Sequence, residues 1–128
     1  MRLLLDTHTF IWYVTNNSKL SSTAKLLIND ENNEVVMSKA SVWEMAIKYS
    51  IGKLSFDTRF DIFIERQLSL NNIELLDIET NHLIAIATLP PHHGDPFDRL
   101  IIVQAMLEGL PVVGIDAAFD AYEVRRLW

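Results

Sequence analysis

The sequence contains no cysteine, which excludes a disulfide framework and a thiolate metal site and suits a cytoplasmic protein. It also lacks an excess of basic charge, with 11 Lys and Arg against 17 Asp and Glu for a formal charge of −6. A protein that grips nucleic acid mainly by electrostatics carries a basic stripe, so that class is disfavoured, whereas an acidic pocket fits this balance. No apolar run reaches the length of a membrane span or a secretory segment: the N-terminus offers one arginine and three leucines before Asp6. Repeats, low-complexity tracts and linkers are absent as well. What remains is a chain of 128 residues, 49% hydrophobic, expected to form one soluble domain with its own core.

The apolar residues are arranged in short runs that alternate with helical patterns. Arg2 to Asp6 reads as a strand buried on both faces, closed by Asp6, and a short apolar helix comes next from Thr7 to Val14. Ser21 or Ser22 caps a second helix that stops at Asn29-Asp30, and Glu34 to Met37 is a second strand. Ser41-Val42-Trp43-Glu44 has the spacing of a capping box, which predicts a helix starting there with Glu44 in its first turn and Gly52 as its stop. Phe60, Phe63, Ile64, Gln67 and Leu68 mark an amphipathic helix over Arg59 to Leu70. Ile73 to Ile78 is a third strand, and Thr80 to Leu89 a helix broken by Pro90-Pro91. In His92-His93-Gly94-Asp95-Pro96-Phe97-Asp98, Asp95 is placed to cap a helix whose first residue is Pro96 and which ends at Gly109. Pro111 to Ile115 is a fourth strand closed by Asp116, and Val124 to Trp128 a last strand at the sheet edge. The alternation predicts one α/β domain over residues 1–128, with a mainly parallel sheet of about five strands flanked by helices.

That architecture brings acids together. In an open parallel sheet the carboxyl ends of the strands and the N-termini of the succeeding helices share one edge, where ligands bind. Asp6 and Asp116 end strands, while Glu44 and Asp98 are expected in first helical turns, so all four should face one crevice. Each has an ordinary structural role to set against this: Glu44 can serve its capping box or pair with Lys48, Asp95 is better read as a cap than as a ligand, and Asp6 or Asp116 can cap the next helix in the chain. The conjunction is less ordinary. Two carboxylates about 5 Å apart repel by roughly 3 kcal/mol at an effective dielectric near 20, so a converging set calls for a cation. Oxygen-only ligands select a hard ion, Mg²⁺ or Mn²⁺, completed by water and substrate phosphate. Asp77 and Glu79 also lie at the end of a strand and are set aside because the apolar alternation around Asp77 turns it away from its neighbours. His92 and His93 match no zinc spacing and are not expected as ligands. Lys39, Lys48, Lys53, Arg99, Arg125 and Arg126 are scattered, with Lys48 and Arg99 the candidates for substrate contact.

Four segments together resemble a PIN-domain ribonuclease, specifically a VapC-type toxin of a type II toxin-antitoxin pair. They are Leu3-Leu4-Leu5-Asp6-Thr7-His8; Ala40 through Lys48 with Gly52-Lys53-Leu54; Leu89-Pro90 through Asp95-Pro96-Phe97-Asp98-Arg99-Leu100-Ile101; and Asp116-Ala117-Ala118-Phe119 with Tyr122 and Leu127-Trp128. The resemblance implies metal-binding acids at Asp6, Glu44, Asp98 and Asp116, with Asp95 a fifth candidate. It further implies a magnesium-dependent endoribonuclease, a small protein antitoxin whose C-terminal segment blocks the crevice, and a toxin dimer. The chain departs from the family pattern at Gly114, where Thr or Ser helps to order the site, which puts the hold on the last carboxylate in doubt. Two rivals stand beside this reading. A phosphoacceptor or phosphatase domain also sets an aspartate at the first strand end, yet Thr7-His8 supplies no second acid and Val112 to Ile115 no lysine. An acidic module that binds a basic peptide without catalysis is the other.

Overall fold

The computed structural model describes all 128 residues. Five strands, β1 (Arg2–Leu5), β2 (Glu34–Ser38), β3 (Ile73–Leu76), β4 (Val112–Val113) and β5 (Arg126–Leu127), form one sheet in the order β3-β2-β1-β4-β5 with every pairing parallel. Six helices connect them: α1 (Thr7–Val14), α2 (Ser22–Asn29), α3 (Lys39–Ser50), α4 (Phe60–Leu70), α5 (Thr80–Ile86) and α6 (Pro96–Glu108), with a 3-10 turn at Ala117–Ala121. The α/β architecture with a five-stranded parallel sheet is the one the sequence predicts, and β5 lies at the edge as expected. No helix is long and apolar enough to cross a membrane.

Both faces of the sheet are buried, which is why its strands read as continuous apolar runs rather than as alternations. Leu4, Val36 and Val112 point to one side and pack with Leu100, Ile101, Val103 and Phe119. Leu3, Leu5, Val35, Met37 and Val113 point to the other and pack with Phe10, Ala24, Met45, Phe63 and Ile64. The chain builds outward from β1 through β2 to β3, then returns to place β4 on the other flank of β1. The strand order therefore reverses between β1 and β4, the place where open parallel sheets bind ligands at their carboxyl edge.

Two helices differ from expectation at their ends. Helix α3 starts at Lys39 with Ser38 as its cap, the Ser38 hydroxyl accepting from the Ala40 N–H at 3.0 Å. Ser41 therefore lies inside the helix, buried, where its hydroxyl accepts from Thr7 Oγ1 at 2.9 Å. The capping box is not formed, because β2 runs directly into the helix and the serine at the junction takes the cap. Helix α5 ends at Ile86 rather than Leu89: the N–H groups of Ala87, Thr88 and Leu89 each reach back three residues instead of four, the tightening that precedes the restricted Leu89-Pro90 junction. Helix α6 runs as predicted, from a capping Asp95 and Pro96 to Gly109 at φ 65°.

Candidate metal centre

Parallel register sets the floor of the crevice. Leu5 pairs with Val113, and the Asp6 N–H donates to the Val113 carbonyl at 3.1 Å, so Asp6 and Gly114 leave the sheet side by side. Asp6 then caps α1, its Oδ1 accepting from the Thr9 N–H at 2.8 Å. The other oxygen lies against Gly114, where an added Cβ would stand 2.6 Å from Asp6 Oδ2. Asp6 is buried, and burial is the main cause that lifts its carboxyl above the usual carboxylate range, against the lowering effect of the Thr9 hydrogen bond.

Asp98 enters from the first turn of α6. Asp95 Oδ1 accepts from the N–H groups of Phe97 and Asp98 at 2.8 and 3.0 Å, which fixes that turn and makes Asp95 the cap that the sequence suggests. The Asp98 carboxyl is pushed up to about 7, first by burial and then by the charge of Asp95, with Glu44 and Asp6 adding to the rise and His93 opposing it. Asp116 arrives from beyond β4 and caps the 3-10 turn, its Oδ1 accepting from the Ala118 N–H at 2.9 Å.

Glu44 is in the second turn of α3, not the first, because the helix starts three residues earlier than the capping-box pattern places it. The shift does not remove it from the site. It is buried, its charge bears on Asp98, and Lys48 one turn on pairs with Oε2 at 2.9 Å. Its other oxygen, Oε1, is buried without any hydrogen-bond partner. A carboxylate oxygen left bare in the interior is costly, by about 1–3 kcal/mol or more for a charged group. Asp77 and Glu79 stand apart: Asp77 is exposed and paired with Lys39, and the Glu79 N–H is tied to His82 Nδ1 at 3.0 Å.

Arg99, a candidate substrate contact, is engaged within the chain itself. Its guanidinium donates to the carbonyls of Leu89, Pro90 and His93 at 3.1, 3.0 and 3.2 Å, binding the loop before α6 to the helix itself. Arg99→Leu is expected to lower stability by about 2 kcal/mol, the usual contribution of hydrogen bonds from a charged group. The readout is the urea midpoint, and an unshifted midpoint would mean that the three carbonyls gain nothing from the arginine. The ammonium of Lys48, the other candidate, is paired with Glu44.

His93, which the sequence pattern does not select, lies inside the cluster. Its Nε2 is 3.0 Å from Oδ2 of both Asp98 and Asp116, and the ligand-type atoms of the three residues all lie within 4.8 Å of one another. The signal for it is the two-residue spacing to the Asp95 cap, which puts it in the same loop at the same edge. The two widest clefts, about 560 and 430 Å³, lie against α4 and contain none of these acids.

A family model for the PIN domain matches residues 3–124. The chain belongs to the PIN domain family. Solved structures agree with this placement. The DNA-bound VapBC of Salmonella typhimurium superposes with a TM-score of 0.75 at 21% identity, covering 99% of this chain and 97% of that one. VapBC2 of Rickettsia felis, bound to a DNA fragment from its promoter, gives 0.73 at 17% identity over 99% and 98%. FitAcB of Neisseria gonorrhoeae gives 0.68 at 18% identity over 98% and 96%. At these identities the likeness speaks for the fold, and a comparison with curated protein sequences finds no match.

Four acids thus meet at one edge of this PIN domain, two of them, Asp6 and Asp98, with carboxyl groups lifted by burial and by neighbouring acids. One buried oxygen of Glu44 has no partner in the protein. Both observations fit a divalent cation among oxygen donors: it would supply the missing contact and offset the mutual repulsion.

Proposed function

We propose that the protein is a VapC-type toxin, a cytoplasmic endoribonuclease that hydrolyses RNA phosphodiester bonds with Mg²⁺ or Mn²⁺ and is held inactive by a cognate antitoxin. The observation that carries the metal dependence is the unpartnered buried oxygen of Glu44 among converging acids at the switch point of the sheet. Membership of the PIN family and the likeness to VapBC and FitAB proteins support the toxin reading. By the same likeness the protein would act as a homodimer, with a short antitoxin segment occupying the acidic crevice.

In this reading Asp6 and Asp98 hold the ion most directly, and Asp116 and Glu44 complete the set. The ion, when bound, supplies Lewis acidity toward the scissile phosphate and its attacking water. The chain's own residues do the positioning. Asp95 fixes the first turn of α6 and with it the direction of Asp98, Thr9 orients Asp6, and Lys48 neutralises one oxygen of Glu44. No side chain here is arranged as a nucleophile with its own base, so water attacks directly and no covalent protein intermediate forms.

Purified protein should cleave RNA in the presence of Mg²⁺ or Mn²⁺ and fall to background when EDTA is added, with activity returning on resupply. Asp6→Asn should be inactive under all of these conditions. Cleavage that survives EDTA, or that the Asp6→Asn protein retains, would overturn the assignment.

A further inference from the structure

His93 is held from several directions. It lies in the loop between α5 and α6, with its side chain only 14% exposed. Its main-chain N–H donates to the Tyr122 hydroxyl at 2.8 Å, and its carbonyl accepts from Arg99 Nη1 at 3.2 Å. The ring packs edge-on against Phe119 at 6.0 Å. Its Nδ1 receives the main-chain N–H of Asp95 at 3.2 Å.

That last contact decides the tautomer. A main-chain amide can only donate, so Nδ1 must be the nitrogen without a proton, and the ring proton is on Nε2. Nε2 in turn hydrogen-bonds to Asp116 Oδ2 at 3.0 Å and lies 3.0 Å from Asp98 Oδ2. One ring nitrogen therefore stands between two carboxylates from different elements, hydrogen-bonded to Asp116 after β4 and 3.0 Å from Asp98 of α6.

The spacing of His93, Asp98 and Asp116 would also suit three ligands of one ion. The tautomer argues against it. A nitrogen that carries its proton has no lone pair for a metal, and moving the proton to Nδ1 would set it against the Asp95 N–H. We propose that His93 is a positioning residue: as a fixed Nε2–H donor it bridges Asp98 and Asp116 and sets the separation and direction of these carboxylates without ligating the ion they hold. The proposal rests on the reading of the two acids as metal-binding. It reverses the usual arrangement, in which a carboxylate orients a ligating histidine; here a histidine orients ligating carboxylates.

Three measurements on the full chain test it. Long-range ¹H–¹⁵N correlation spectra of the Mg²⁺-loaded protein should show His93 protonated on Nε2 and bare on Nδ1. Electron spin-echo modulation of the Mn²⁺-loaded protein should show no nitrogen coupling that disappears in His93→Gln. Calorimetric titration with Mn²⁺ should show His93→Leu binding 10- to 100-fold more weakly than wild type, the usual effect of losing such an outer partner. His93→Gln, whose amide can place an N–H where Nε2–H stands, should recover most of that loss. Nitrogen coupling traced to His93, or a proton on Nδ1, would overturn the proposal in favour of ligation. Equal affinities of His93→Leu and wild type would overturn the positioning role alone. Failure of the wild type to bind Mn²⁺ at all would overturn the metal reading and this proposal with it.

Discussion

Asp98→Asn is expected to abolish RNA cleavage and, in metal-free buffer above neutral pH, to make the fold more stable. Both effects come from one carboxyl group. Burial and the neighbouring acids raise its pKa from 3.8 to about 7 in the folded protein. Between those values the folded state keeps a proton that the unfolded chain has released, so stability falls as pH rises through the window and stays at its lower level above it. The full conversion, about 1.4 kcal/mol per unit, is roughly halved because solvent reaches a quarter of the side chain, leaving about 2 kcal/mol. Asparagine removes the charge and this penalty with it. At pH 8 in EDTA the variant should melt roughly 5–10 °C above wild type, and the difference should vanish near pH 4. Adding Mg²⁺ should then raise the wild-type melting temperature and leave the variant unmoved. Cleavage should fall by at least about 100-fold, since even outer-shell partners of a metal site contribute factors of 10 to 100. A variant that cleaves normally would remove Asp98 from the centre; one destabilised at pH 8 would contradict the origin of its raised pKa.

Much of this site is legible in the sequence for a simple reason. Asp6, Asp95 and Asp116 each sit where an apolar run or a loop hands over to a helical turn, and a short acid at such a junction caps the turn wherever the chain goes afterwards. Local chemistry fixes those positions, and a parallel sheet does the rest by collecting strand ends on one edge. For Glu44 the sequence pattern indicates the right helix but the wrong turn. Ser38 and Ser41 are both good caps, and the choice between them depends on where β2 stops, which is decided by its pairing with β1 and β3. The spacing to Asp95 puts His93 at the right edge, but what the Arg99 and His93 side chains face cannot be read locally. Whether a guanidinium meets solvent or three carbonyls, and whether an imidazole faces outward or between two acids, depends on how the loop before α6 folds back. That path is fixed by Tyr122, whose hydroxyl accepts from the His93 N–H and donates to the Pro90 carbonyl from about thirty residues away. Such a contact has no periodicity to betray it.

Gly114 is the position at which the family resemblance and the geometry point in opposite directions. The resemblance suggests that restoring a hydroxyl residue there would improve the site. The structure predicts that Gly114→Thr will reduce cleavage by about 100-fold. A Cβ at this position would come within 2.6 Å of Asp6 Oδ2, closer than real contacts allow, and a tight 3.0 Å from its Cγ, so the carboxylate must give way. It has little room to do so, because Asp6 Oδ1 is the acceptor that caps α1 through the Thr9 N–H. Rotation away from Gly114 breaks that cap at a cost of about 1 kcal/mol, and a displacement near 1 Å at a reacting centre is enough for a hundredfold loss. The hold on Asp116, meanwhile, does not depend on residue 114, since Ala118 and His93 already donate to it. Gly114→Ala separates the two ideas. If the steric argument is right, alanine and threonine are both impaired in cleavage and in Mg²⁺ affinity measured by calorimetry; a threonine variant more active than wild type, with alanine impaired, would show that the hydroxyl outweighs the displaced carboxylate.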